Sequence, residues 1–259
     1  MDLKHNLAVY FIGGGPMNTY TIKWAKKFNL KIIVSDKNIE APCLKIADEK
    51  LIADARDYKV HLNFIKKIKN KYKIVGTICQ IEDALITQYM INKYCKIKSF
   101  SLNNLKNCSN KKKHKIKLIE NNIDVPRTLN IRNYKNAKHE KIILKPIDGS
   151  GSRGVYILNK NIPKDKIKLM IKEIKKKFSN YIIEEYLPGR SIDGNAVMIN
   201  GKFYFAGIFE KFISPEPHRL PLGGQVPANI GKKLLNQFKK KFNKTCNALN
   251  INNGVVKID

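Results

Sequence analysis

The run from Ile142 to Val155, IILKPIDGSGSRGV, divides into three parts. Ile142-Ile143-Leu144 is a short apolar strand. Lys145 closes it, and Pro146 follows at once. Asp148-Gly149-Ser150-Gly151-Ser152-Arg153-Gly154 is a loop of small residues, and a second strand starts at Val155. Glycines at this density let backbone N–H groups close on a phosphate with no Cβ in the way. Lys145 and Arg153 would bring charge to the same anion. The alternative is a glycine-rich hairpin with two ordinary surface cations, so the flanking sequence has to decide.

Working outward, Tyr181-Ile182-Ile183-Glu184-Glu185-Tyr186-Leu187 is an apolar strand ending in two acids and turning at Pro188-Gly189. Between the two strands, Ile167, Met170, Ile171, Ile174 and Phe178 keep helical spacing, which predicts a helix over 164–178. Beyond them, 196–199 and 203–209 form a hairpin across Asn200-Gly201. Residues 211–229 read as one long loop rich in proline and glycine, of a length that inside a domain is usually either functional or disordered. His218 and Arg219 lie in it. Leu235, Phe238, Phe242, Cys246 and Leu249 mark another amphipathic helix, and a strand begins at Gly254.

Upstream, 7–12 is a buried strand, Gly13-Gly14-Gly15-Pro16 a turn, 17–28 a helix and 30–34 a second strand ending in Ser35-Asp36. This is a βαβ opening of the doubly wound type. Gly13, Gly15 and Asp36 match part of a dinucleotide fingerprint, but Asn18 stands where its third glycine would be. A tight strand-to-helix turn explains the same residues. An amphipathic helix near 62–72, a strand over 74–79 and a helix over 83–94 continue the pattern. The first domain ends near Phe100, where SLNNLKNCSNKKK turns polar.

Composition narrows the function classes. The 259 residues carry 43% hydrophobic and 27% charged residues, a globular balance. No apolar stretch reaches the about 20 residues that span a bilayer, and the N-terminus reads as a strand rather than a leader, so neither membrane nor export is expected. The five cysteines, Cys43, Cys79, Cys95, Cys108 and Cys246, show no paired spacing, which fits reduced thiols in a cytoplasm. The net charge is +29, yet 44 of the 50 basic residues are lysine and they are spread throughout. Base-reading surfaces favour arginine, so no specific nucleic-acid partner is expected.

Taken in order, Asn110-Lys111, Val125-Pro126, ILKPIDGSGSRGV, IIEEYLPGRS, the long loop and GVVKID resemble the ATP-grasp ligases with their pre-ATP-grasp domain in front. The resemblance implies an α/β chain: a Rossmann-like domain over 1–100 and an incomplete ATP-grasp α+β fold over 101–259, its nucleotide-binding subdomain at about 125–190. It implies ATP and Mg2+ as cofactors. Lys111 resembles the first nucleotide lysine and Lys145 the second, at the α- and β-phosphates. Gly149, Ser150, Gly151, Ser152 and Gly154 resemble the loop that folds over the phosphates. Glu184, Glu185, Tyr186 and Leu187 resemble the hinge strand whose backbone reads adenine. Asp259 resembles the first metal-binding acid. Two departures stand out. Ser191 replaces the glutamate that usually holds the ribose, leaving Asp193 as the substitute. The family's second metal acid and its companion asparagine would fall after residue 259.

The chemistry implied is activation of a small-molecule carboxylate as an acylphosphate, then attack by an amine. Such catalysis is mostly positioning and charge neutralisation. Arg153 and Lys211 are the candidates for steadying the γ-phosphate. Two other readings stay open: an ATP-binding protein with little or no turnover, and a nicotinamide-dependent oxidoreductase using the N-terminal turn. A homodimer is also left open.

Overall fold

A computed structural model describes residues 6–148, 152–215 and 221–258. Its contacts divide the chain into two compact units, residues 1–105 and 106–259.

In the first unit, β1 (Leu7–Ile12), β2 (Lys31–Asp36), β3 (Glu49–Ile52) and β4 (Lys73–Cys79) form a parallel sheet in the order β3-β2-β1-β4. β1 is apolar at nearly every position because both of its faces are covered. Ala8, Tyr10 and Ile12 pack with Ile65 of α2 (Tyr58–Ile68) and Ile91 of α3 (Leu85–Tyr94). Phe11 points the other way and packs with Ile22 of α1 (Asn18–Lys27). α2 starts four residues earlier than its apolar spacing suggests, because the Asp57 carboxylate accepts from the Val60 N–H at 3.2 Å and caps it. α1 turns Met17, Tyr20, Trp24 and Phe28 outward, with the Lys27 ammonium 4.3 Å from the Trp24 ring.

The division between units falls inside α4 (Leu102–Ser109), a helix in the stretch read from sequence only as a polar boundary. The second unit holds two antiparallel sheets. β5 (Thr128–Leu129), β6 (Lys141–Pro146), β7 (Tyr156–Asn159) and β8 (Tyr181–Glu185) run in the order β5-β8-β6-β7. α5 (Lys111–Glu120) precedes them, and α6 (Lys164–Lys177) connects β7 to β8. Ile142 and Leu144 face Ile167, Ile171 and Ile174 of α6 across a closed core. Truncating the fully buried Leu144 to alanine should cost about 2–5 kcal/mol.

The other sheet joins β9 (Ser191–Ile199), β10 (Lys202–Ile213), β11 (Pro221–Gln225) and β12 (Gly254–Ile258) in the order β11-β10-β9-β12. The β9–β10 turn, Asn200-Gly201, has positive φ at both residues, as a two-residue hairpin twisted with its strands requires. α7 (Lys232–Ala248) covers one face through Phe238 and Phe242, which pack with Ala196 and Met198. The 211–229 stretch is corrected here. β10 runs on to Ile213 and β11 pairs back onto it, Lys211 opposite Gly224, so much of the expected loop is sheet. Lys211 is therefore a strand residue.

Candidate functional site

Alternation along β6 separates the core from the site. Ile142, Leu144 and Pro146 point into the core, which leaves Ile143 and Lys145 on the opposite face. On β8, Ile183 belongs to the core and Glu184 to the opposite face, directly across from Ile143. Lys145 and Glu184 thus meet diagonally, with Lys145 Nζ 2.5 Å from Glu184 Oε2. The second Glu184 oxygen lies 2.5 Å from the Nζ of Lys115, on α5. Burial pushes the Glu184 carboxyl up, but the two ammonium groups outweigh it and hold its pKa below the ordinary glutamate value.

A cavity of about 540 Å³ opens beside this face. Ile143, Val155 and Ile157 form one wall, Tyr186 and Leu187 the edge, and Phe238 part of the far side. The volume and the apolar lining suit a flat heterocycle. Arg190 lines it as well. Its guanidinium is fork-bonded to Glu210 of β10 and donates to the Asn229 carbonyl at 2.8 Å, which ties the turn after β8 to the second sheet.

Lys111 is the first residue of α5. Its N–H donates to the Ile147 carbonyl at 2.8 Å, so the helix start is fastened to the chain just past Lys145. Asn110 caps the helix through the N–H groups of Lys112 and Lys113. Ser152 lines the cavity, and Arg153 is exposed in the same turn. Gly154 has φ +72°, and a Cβ there would come within 3.2 Å of Phe178 and 3.3 Å of Pro146, so glycine is required. Gly149, Ser150, Gly151, His218, Arg219 and Asp259 lie outside the described residues.

Glu185 is one residue from Glu184 and faces the other way. Its carboxylate accepts from Arg127 Nη2 at 2.6 Å and from the Lys138 N–H at 2.8 Å. The N–H groups of Glu185 and Tyr186 donate to the carbonyls of Arg127 and Lys141. Asp193, the expected substitute for the ribose acid, is paired with lysines. It is buried on β9, 2.7 Å from Lys211 Nζ and 3.1 Å from Lys257 Nζ, although the contact at its Oδ1 lacks hydrogen-bond alignment. Lys115 and Lys257, which the sequence reading did not single out, pair with Glu184 and Asp193.

The N-terminal turn is closed by the chain itself. Asp36 Oδ2 accepts from the Gly14 N–H at 2.7 Å, the Gly13 N–H donates to Ser35, and Asn18 donates to the Gly13 carbonyl at 2.8 Å.

A family model described as the ATP-grasp domain matches residues 108–259. The chain belongs to the ATP-grasp family. Solved structures agree with that membership at the level of fold. An L-amino acid ligase from Bacillus licheniformis superposes with a TM-score of 0.77 at 15% identity, over 99% of this chain and 63% of its own. A phosphoribosylglycinamide synthetase from Anaerococcus prevotii gives 0.73 at 20%, over 98% and 64%. The biotin carboxylase domain of the Hydrogenobacter thermophilus 2-oxoglutarate carboxylase, a dimer in complex with MgADP, ADP and bicarbonate, gives 0.79 at 13%, over 96% and 59%. This ATP-grasp chain spans less than two thirds of each of those structures. No curated protein matches it.

Among the described residues no group of three or more His, Cys, Asp or Glu side chains could hold a metal. Asp193, the buried acid on the open face of the second sheet, is already held by two lysines. No helix among the described residues is long and apolar enough to cross a membrane.

Proposed function

We propose that this ATP-grasp chain binds ATP in its second unit and uses it to activate a small-molecule carboxylate for ligation to an amine. One observation carries the reading: a lysine fixed by a buried glutamate stands on the same face of β6 as Ile143, which lines the cavity, just before a glycine-rich turn in an ATP-grasp fold. Adenine would fill the cavity against Ile143 and Leu187. Lys145 and Lys111 would hold the phosphates, under residues 149–154. Lys211, steadied by Asp193, and Arg153 would neutralise the γ-phosphoryl group as it transfers. Residues 1–100 would serve as the pre-ATP-grasp domain. Mg2+ would enter with ATP, and Asp259 is the residue put forward for it.

A carboxylate oxygen of the substrate attacks the γ-phosphorus, the bond to the β–γ bridging oxygen breaks, and ADP leaves. The amine then attacks the acyl carbon, the phosphate departs with the bonding pair, and the amine proton is lost to solvent. No protein nucleophile is required; positioning and charge do the work. The names of the matched structures, an amino acid ligase and a phosphoribosylglycinamide synthetase, support this class.

The N-terminal turn offers less to a nicotinamide cofactor, because its amides and Asp36 already bond to each other. The test is thermal protection followed by turnover. ATP with Mg2+ should raise the melting temperature by mass action, and NADH should not. ADP should then form only when both a carboxylate and an amine are supplied from a panel. ATP protection without ADP formation would leave a nucleotide-binding protein that does not turn over. Protection by NADH alone would overturn the assignment.

A further inference from the structure

Lys115 is the one residue of α5 that is fully buried, at 7% exposure. A lysine is placed there only if its charge is answered. The answer is Glu184 Oε1 at 2.5 Å, while Glu184 Oε2 answers Lys145 at the same distance. Two cations therefore share one anion, and the cluster keeps one positive charge in excess. His114, the residue before it on α5, adds nothing to it. Burial and the Lys145 ammonium hold its pKa below the ordinary histidine value, and its Nε2 has no hydrogen-bond partner.

The arrangement is asymmetric. Lys115 is enclosed, whereas the Lys145 side chain keeps 24% of its surface open. With Lys145 as its sole partner, Glu184 would cancel the charge that a phosphate needs to meet. Lys115 takes one carboxylate oxygen and restores the balance. It also fixes the carboxylate plane, and so the point from which Lys145 is held.

We propose that Lys115 is a positioning residue for nucleotide phosphates: by sharing Glu184 it leaves Lys145 an immobilised, uncompensated cation on the β6 face that carries the cavity residue Ile143. This rests on the ATP-binding reading and deepens it.

The test uses the full chain and titration calorimetry with ATP and with adenosine, which lacks the phosphates. Lys115→Met removes one positive charge and makes the cluster neutral. It should weaken ATP binding about tenfold, or about 1.4 kcal/mol, and leave adenosine affinity within about twofold. Lys115→Arg should return ATP affinity to near wild type. The double variant Lys115→Met with Glu184→Gln restores the net positive charge and leaves no buried carboxylate half-answered. It should fold even if the single variant does not, and bind ATP within about threefold of wild type. Equal losses of ATP and adenosine, or a double variant no better than the single one, would show that Lys115 merely supports the fold. Wild-type affinity in Lys115→Met would likewise overturn the inference. Failure of the unaltered chain to bind ATP would instead remove the reading beneath it, so the two failures are distinct.

Discussion

The two glycine-rich turns of this chain follow buried strands and look alike in sequence, yet their surroundings are opposite. After β1, the glycine amides are met by the chain's own acceptors, Asp36 and the Ser35 carbonyl, and that turn is electrically settled. After β6, the flanks of the loop carry an excess of positive charge: Lys145 shares Glu184 with Lys115, and Arg153 is exposed nearby. A glycine run signals only that backbone can come close to something. What comes close is decided by whether the protein has already supplied the anion.

Removing the cation should separate the two turns most sharply. Lys145→Ala should weaken ATP binding by about 1.5–3 kcal/mol. Lys112→Ala and Lys113→Ala, both exposed on α5, should change it by less than about 1 kcal/mol. Equal losses at all three would mean that ATP is held by diffuse charge, and the contrast between the turns would collapse. At the other turn, Asp36→Ala leaves the Gly14 and Asn38 amides without their acceptor. It should cost about 1 kcal/mol of stability in denaturant titrations while ATP affinity stays put. A large loss of nucleotide affinity there would move the site to the first unit.

Acid titration sharpens the same point. Glu184 has its pKa depressed by its lysines below the ordinary 4.5. Its contribution to stability is thus complete above pH 4.5 and is lost as the pH falls through the lowered value. His114, depressed from 6.5, should begin to lower stability once the pH drops under that value, because the unfolded chain takes up the proton first. Melting curves of Glu184→Gln should show a weaker loss of stability below pH 4.5 than the unaltered chain, the remainder coming from other depressed carboxylates such as Glu185 and Glu210, and should keep the upper dependence. An unchanged acid slope would mean that Glu184 is not a group that acid reaches. The smallest effect is expected in hydrogen exchange at Ser152–Gly154, which should slow when Mg-ATP is added; unchanged exchange would argue against closure of this turn on nucleotide.

Much of this was legible in residue order. The alternation in Ile142-Ile143-Leu144-Lys145 already puts Lys145 on the face opposite the core residues. The amphipathic spacings of α6 and α7 place those helices within a residue or two. Two parts were hidden for physical reasons. On α5, Ile116 and Ile119 are exposed while Lys115 is buried, so the usual equation of apolar with inward fails there. In a chain with 44 lysines nothing marks one of them as enclosed; its position four residues after Lys111, on the same side of the helix, was the available hint. β11 was hidden because Pro221, Gly223 and Gly224 read as loop, although an edge strand can accept proline at its first position. The opposed roles of Glu184 and Glu185 follow from strand alternation, but their partners, Lys115 and Arg127, come from elsewhere in the chain and carry no local signal.

The outward stripe on α1 has a practical consequence for optical work. Trp24 is the single tryptophan of the protein, 58% exposed, with an ammonium over its ring, and it belongs to the first unit. Its emission is a beacon for that unit alone. A melt followed at tryptophan wavelengths would track the Rossmann-like sheet and stay silent about the second unit if the two come apart separately. Calorimetry, which weighs every unfolding residue, would see both. A gap between the two melting profiles that changes on adding ATP would report, without any label, how far each half stands or falls by itself.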